Sequence, residues 1–254
     1  MSAYAETYGE KASIVVATER YTQNVNGSRP PSMDHRVTVA DFAIVKARGP
    51  YGEWVGFRDV VEVDGARLTD REDRLIKLLT ASAGSLDEAR RLSAESARFN
   101  IGPFLRNVNV PTTALFFFRP ENLRRFKFTR KSVRQDGTWE IAFRETERPT
   151  LIRTPDGGGS VPSAGSVWVN GADGTVVRTR LRMTQFGSPA NTSPRGSGSA
   201  EIDVRYRRVD ALDMWLPDTM TESYEGSRGA AWPRLVTEAR YTDYRQFQTS
   251  VRIK

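Results

Sequence analysis

The stretch Gly165-Ser-Val-Trp-Val-Asn-Gly-Ala-Asp-Gly-Thr-Val-Val-Arg-Thr-Arg-Leu-Arg-Met183 reads as a β-hairpin. Val167 and Val169 share one face of a first strand and Trp168 takes the other. Asn170-Gly171-Ala172-Asp173-Gly174 supplies residues that tolerate positive φ at the reversal. The returning strand alternates, with Val177, Thr179, Leu181 and Met183 on one side and Arg178, Arg180 and Arg182 on the other. A period of two means one buried and one wet sheet face, which favours antiparallel pairing.

The same pattern recurs outward from this hairpin. Phe126 and Phe128 oppose Arg125, Lys127 and Lys131; Trp139, Ile141 and Phe143 share a face; Thr150 to Arg153 is a short strand. Downstream, Ile202, Val204 and Tyr206 mark a strand, as do Trp215 to Tyr224, Val236 to Tyr241 and Gln246 to Ile253. Upstream, strands are expected over Ile14 to Gln23, Val37 to Lys46 and Trp54 to Val63, the last placing Val55, Phe57, Val61 and Val63 together and closing at Asp64-Gly65. Residues 187–199, rich in Gly, Ser, Pro and Asn, read as a flexible loop.

Between the two blocks of strands the period changes. Leu75, Ile76, Leu78 and Leu79 cluster within Asp70 to Leu79, and Ser85 with Asp87 and Glu88 starts a helix over Leu86 to Phe99. Ala114-Leu115-Phe116-Phe117-Phe118 reads as a short buried helix ending before Pro120. Another short helix is expected over residues 2 to 12. A twisted antiparallel sheet of about ten strands must curl or split into layers. The expected fold is therefore α+β, a single domain over 1–254: a strongly curved, half-open β-barrel with a helical insertion (about 70–122) on its concave face.

Composition bounds the function. The 254 residues hold 38 basic and 31 acidic side chains, a net charge of +7. That is a dense mixture with a modest basic excess, read first as solvated strand faces. With no cysteine, disulfides and thiolate metal sites are excluded. No apolar run approaches the roughly 18–20 residues of a membrane-spanning helix. No export signal is visible after Met1, which fits either a cytosolic protein or one whose signal Met1 replaces.

The order of elements, a short N-terminal helix, strands, a helical insertion and then hairpins, is similar to the lipoprotein-carrier (LolA/LolB-like) superfamily. That resemblance implies an incomplete barrel around a lipid-acyl cavity capped by helices. Local segments resemble an uncharacterised family of exported bacterial proteins: Val16 to Gln23, Gly56 to Val60, Ala97 to Gly102, Arg148 to Ile152 and Tyr241 to Phe247. It implies a periplasmic or secreted location and carries no activity.

Chemical motifs are sparse. His35, the only histidine, stands at a loop edge without a Gly-x-Ser-x-Gly turn to supply a nucleophile. Asp59 with Glu62, and Glu145 with Glu147, read as salt-bridged sheet rather than as glycosidase pairs. In Arg124 to Arg134 bases alternate with aromatics, but strand geometry turns Phe126 and Phe128 inward, against nucleic-acid stacking. Asp156-Gly157-Gly158-Gly159-Ser160 lacks the lysine and helix of a phosphate loop. The cluster Arg106-Asn107-Val108-Asn109-Val110 reads as a cap and tie for the insertion, or as a cavity mouth.

The apolar inventory carries the functional expectation: Leu115, Phe116, Phe117 and Phe118 in a lid, facing Phe126, Phe128, Trp139, Ile141, Phe143 and Leu181 on the sheet. A helix cannot turn three consecutive rings to one side, so two of the three lid phenylalanines should be buried and the third lie at the flank. These residues form either a lined pocket or a filled core. The expectation is a non-enzymatic extracytoplasmic binding protein for an apolar small molecule or acyl chain, with no cofactor and no metal. The alternative is a protein-interaction or scaffold domain of a cell-envelope assembly.

Overall fold

A computed structural model describes residues 1, 3–5, 15–26, 33–46, 54–69, 74–75, 91–92, 94–102, 104, 106, 109–154, 159–187, 197–226 and 234–246. They contain eleven strands: β1 (Val15–Asn26), β2 (Met33–Lys46), β3 (Trp54–Val63), β4 (Ala66–Arg67), β5 (Phe126–Val133), β6 (Thr138–Glu145), β7 (Ser163–Asn170), β8 (Val176–Gly187), β9 (Ser197–Val209), β10 (Met214–Glu225) and β11 (Arg234–Gln246). Two short helices, α1 (Thr113–Phe117) and α2 (Pro120–Leu123), precede β5.

All eleven strands belong to one curved, unclosed sheet in the order β4-β3-β2-β1-β11-β10-β9-β8-β7-β6-β5. Every neighbouring pair is antiparallel. The chain starts at the centre, steps outward by hairpins to β4, crosses to the opposite edge, and returns by hairpins until β11 lies beside β1. Register shifts in six of the pairings, at positions such as Val16/Thr18, Thr184/Phe186 and Pro217/Thr219, raise the local twist that bends so many strands. Asp64 and Gly65, both at positive φ (50° and 84°), make the tight turn between β3 and β4 that their sequence demands.

The Gly165 hairpin forms as β7 and β8, with one difference. A bulge between Trp168 and Val169 changes the parity, so Val176 rather than Val177 joins Thr179, Leu181 and Met183 in the interior. The arginine face is as expected: the Arg178 guanidinium lies 4.5 Å from the Trp168 ring centroid and is ion-paired with Asp203.

Several boundaries move. Residues 150–153 form a single bridge, Arg153 to Ser160, instead of a strand. β2 begins at Met33, so His35 sits on a strand opposite Asn24, not at a loop edge. The expected N-terminal helix is seen at 3–5; its remainder, most of the 187–199 loop and most of the Gln246 to Ile253 strand lie outside the described residues.

The larger revision concerns the connection from β4 to β5. Of the expected helices, residues 74–75, 91–92 and 94–97 are helical and most of the rest lies outside the described residues. Leu75 and Leu92 cluster with Val16, Ala43 and Phe57. That row faces away from Ala17, Phe42 and Arg58, their neighbours along the same strands. These helical residues therefore cover the outer face, not the concave one. The sequence showed Leu75 to be apolar; only the register of β1, β2 and β3 shows which side needs it.

The Ser96 hydroxyl then donates to the Arg58 carbonyl (2.5 Å) and accepts from the Val60 amide (3.4 Å). It thereby satisfies backbone groups on the open edge of β3, the part of a sheet that otherwise recruits other strands. Past that edge, Ile101, Phe104 and Val110 pack with the main core on the inner face, followed by α1. The described residues of the connection thus pass from the outer face at Leu75 and Leu92, by Ser96 at the edge, to the inner face at Ile101, Phe104 and Val110.

Gly165 tests the tightness of this packing. A Cβ there would stand 1.9 Å from the Arg180 carbonyl oxygen and 2.8 Å from the Phe143 ring. Gly165→Ala should cost about 3 kcal/mol, the upper range for overpacking, read as a lowered urea midpoint with native-like far-ultraviolet dichroism.

Candidate functional site

All ten apolar residues singled out from the sequence meet in one cluster on the inner face. Leu115, Phe117, Phe118, Phe126, Phe143 and Leu181 are buried; Phe116, Phe128, Trp139 and Ile141 are half-buried against them. α1 presents Phe117 and Phe118 to the β5–β6 hairpin. Phe117 stacks on Phe126 at 5.2 Å between centroids, and Phe118 meets Phe143 edge-on at 5.2 Å. Phe116, the flanking ring of the three, lies beneath the Arg119 guanidinium at 5.9 Å. The division of two buried rings and one at the side follows from helix geometry, as expected.

A second group on the same face is polar, and apolar periodicity gives no sign of it. β1 sends Val15, Ala17, Glu19, Tyr21, Gln23 and Val25 inward, and all are buried. Reading this strand at period two would have placed a carboxylate and an amide in the core; they were hidden by attention to apolar positions alone. Glu19 has no exposed surface. Its Oε1 accepts from Arg58 Nη2 (2.9 Å) and from the Tyr241 hydroxyl (2.7 Å), while Oε2 accepts from Arg58 Nε. Burial works against the Arg58 charge, yet the Glu19 carboxylate beside it more than compensates and raises its affinity for the proton.

Arg58 also donates to Asn109 Oδ1 (3.3 Å) and to the Asn109 carbonyl (2.6 Å). Arg106 donates to the Tyr21 hydroxyl (2.8 Å), Gln23 Oε1 (2.7 Å) and the Ile101 carbonyl (3.0 Å). Gln23 in turn bridges the strap, the segment from Phe99 to Pro111, accepting from the Ile101 amide (3.0 Å) and donating to the Phe99 carbonyl (3.2 Å). The Tyr206 hydroxyl of β9 donates to the Pro111 carbonyl (2.7 Å). The described residues between Phe99 and Pro111 are thus tied to the sheet by side-chain hydrogen bonds. Arg106 and Asn109 perform the tie expected of their cluster. The cap is not made: α1 begins after Thr112 with no side-chain hydrogen bond at its N-terminus.

Glu222 of β10 completes this group at 2% exposure. The Tyr224 hydroxyl donates to its Oε2 at 2.5 Å, and among the described residues Oε1 has no hydrogen-bond partner. Burial raises the Glu222 carboxyl above its ordinary value of 4.5, with Arg106 and Tyr224 pulling the other way. The Tyr21 phenol is pushed up to about 12, by burial first and then by Glu222.

The remaining candidates stand apart from this group. His35 is exposed and its Nδ1 lies 2.7 Å from Asn24 Oδ1. Glu145 and Glu147 share Arg125, each at 3.3 Å. Asp59 lies 4.0 Å from Arg74. Glu145 and Asp59 are buried, so they belong to the interior and not to a solvated face. Residues 155–158 of the glycine loop lie outside the described residues.

No protein-family model matches the sequence, and no curated protein matches it at a significant level. Solved structures do resemble it. A DUF1329 family protein from Desulfovibrio piger aligns over 100% of this chain and 93% of its own, at 9% identity and a TM-score of 0.40. A LolA superfamily protein from Nitrosomonas europaea aligns over 97% and 94%, at 11% identity and a TM-score of 0.34. These are likenesses to LolA-type and DUF1329 structures, and they transfer no residue role. Four of the five local segments quoted for the second family do converge here, contributing Glu19, Tyr21 and Gln23, Arg58, Phe99 with Ile101, and Tyr241.

Two measurements follow from this geometry. Arg58→Met leaves Glu19 buried without its counter-charge and should cost about 3–5 kcal/mol; adding Glu19→Gln should recover a large part of that loss in chemical denaturation. The second concerns pH. A carboxyl with a raised folded pKa holds its proton more tightly folded than unfolded, so stability is lost as pH climbs from about 4.5 through the folded value. Glu222→Gln should flatten that part of the stability–pH curve, and the difference between the two proteins should be largest at neutral pH.

Proposed function

We propose that the chain is a non-enzymatic binding protein of the cell envelope, periplasmic or secreted, that holds an apolar ligand such as a lipid or lipoprotein acyl chain. The ligand would lie between the inner face of the half-barrel and the strap with α1. Leu115, Phe116, Phe117, Phe118, Phe126, Phe128, Trp139, Ile141, Phe143 and Leu181 would form its apolar wall.

One observation carries this reading. The cover over the inner face is not a strand of the sheet but a strap held by the side chains of Gln23, Arg58, Arg106 and Tyr206. Each such bond contributes only about 0.5–3 kcal/mol net, the higher figures belonging to charged groups. On this reading the strap lifts while every strand pairing stays intact, drawing Ile101, Phe104 and Val110 out of the core and admitting a chain to the apolar face they leave. The half-buried Phe116, Phe128, Trp139 and Ile141 would border the entrance.

A second reading rests on a different observation. Phe117, Phe118, Phe126 and Phe143 are buried against one another with ring contacts of 5.2–6.2 Å, as in a filled core. On that reading the chain is a protein-interaction or scaffold domain, and the aromatics only support the fold.

Native mass spectrometry with lipid extraction, and titration with fluorescent fatty acids, separate the two. Phe117→Ala and Phe118→Ala should each cost about 3–5 kcal/mol on either reading. Phe116→Ala should barely lower the melting temperature yet abolish fatty-acid uptake if the ring borders a ligand path. Uptake that is absent throughout, or unchanged in all three variants, leaves the scaffold reading standing.

A further inference from the structure

We propose that the β5 edge of the sheet is a docking face for an anionic lipid bilayer. The inference goes beyond the ligand reading and does not depend on it.

The starting point is one row of residues across the outer face. In register, Lys127 stands opposite Arg144, Arg144 opposite Ala164, Ala164 opposite Arg182 and Arg182 opposite Glu201. Arg182 is neutralised by Glu201, and one step along, Arg178 and Arg180 both pair with Asp203. At the edge the row ends in two exposed like charges directly opposite each other, an arrangement that destabilises a sheet. Arg124 on the approach and Lys131 on the strand add further exposed bases, and Arg130, paired with Ile141, carries the charge round to the inner-face side of the same edge strand.

Among the described residues no carboxylate lies within ion-pair distance of Arg124, Lys127, Arg130, Lys131 or Arg144. The nearby acids are engaged elsewhere. Glu145 and Glu147 hold Arg125, Glu140 accepts from Ser166 Oγ (3.1 Å), and Asp136 accepts from the Thr138 amide (2.9 Å). The interior strands of this face are thus balanced and the edge is not.

The end of the hairpin selects the partner. On the inner-face side of that edge, Val133 is 54% exposed and stands opposite the half-buried Trp139, whose ring carries the Arg130 guanidinium at 5.3 Å, so the edge strand presents bases from both of its sides. An aliphatic, an indole and long basic side chains together match a bilayer interface, where stems and rings sink to the headgroup level and charges meet phosphate. Single-stranded nucleic acid would need exposed rings beside the bases, and Phe126 and Phe128 are packed with the core instead.

The test is flotation of the full chain with vesicles of phosphatidylcholine alone and of phosphatidylcholine mixed equally with phosphatidylglycerol. Binding should require the anionic lipid and should be lost as salt shortens the screening length from about 10 Å to about 3 Å. The triple variant Lys127→Gln, Arg130→Gln, Lys131→Gln should bind about tenfold or more weakly, with an unchanged melting temperature. A control triple, Arg207→Gln, Arg208→Gln, Arg240→Gln, removes bases that already face acids and should bind like the parent. The proposal is overturned if the parent does not bind anionic vesicles, if neutral vesicles bind as well, or if the control loses as much as the edge variant. Tighter binding to single-stranded DNA or heparin than to vesicles would likewise overturn it and assign the edge to a soluble polyanion.

Discussion

A carboxylate with no exposed surface, Glu19 on β1, sets a condition that much of the interior meets. Taking a charge out of water costs several kcal/mol unless it is paired and hydrogen-bonded. Glu19 obtains both from three directions: the Arg58 guanidinium on β3 two strands away, the Tyr241 hydroxyl on the neighbouring β11, and, through Arg58, Asn109 of the strap. One buried charge thus fixes the relative positions of the first strand, the last strand, an outer strand and the segment that covers them.

The topology explains why the centre is where this happens. β1 and β11 are far apart in the sequence and adjacent in the sheet, so the pairing that joins the two halves is also the one that closes the longest loop. Every other pairing is a hairpin between consecutive strands. The polar residues stand on and beside that central seam, on β1, β10 and β11, whereas the aromatic block sits towards the β5 edge. The inner face is consequently divided: polar ties at the centre, rings at one side, and a single connection that crosses both.

That division gives the candidate site its character. The strap is fastened where hydrogen bonds can be exchanged, and α1 is fastened where rings are packed. Glu222 lies among the polar ties with one oxygen bonded to Tyr224 and the other without a protein partner among the described residues. The outer face is organised by the opposite principle. Its arginines are matched row by row to Asp203 and Glu201 until the edge, where matching stops.

The strands, their alternation and the aromatic set were legible in the sequence, because a period of two and a helix of five residues impose which side chains can share a face. That two of the three lid rings lie inside and one at the flank follows from helix geometry; that the flanking ring is Phe116 is decided by the packing against β5 and β6. The sequence could not decide which face a strand shows to which neighbour once bulges intervene. The shift at Trp168/Val169 exchanges Val176 for Val177, and Leu75 with Leu92 falls on the outer side of β1, β2 and β3. Nor could it announce that Glu19 and Gln23 of β1 meet Arg58, Arg106 and Glu222, since these three stand on other elements and come to β1 only through the tertiary fold. Local pattern fixes what a residue's own element needs; the pairing of distant strands decides what it touches, because the partner's register is set by contacts that no local window contains.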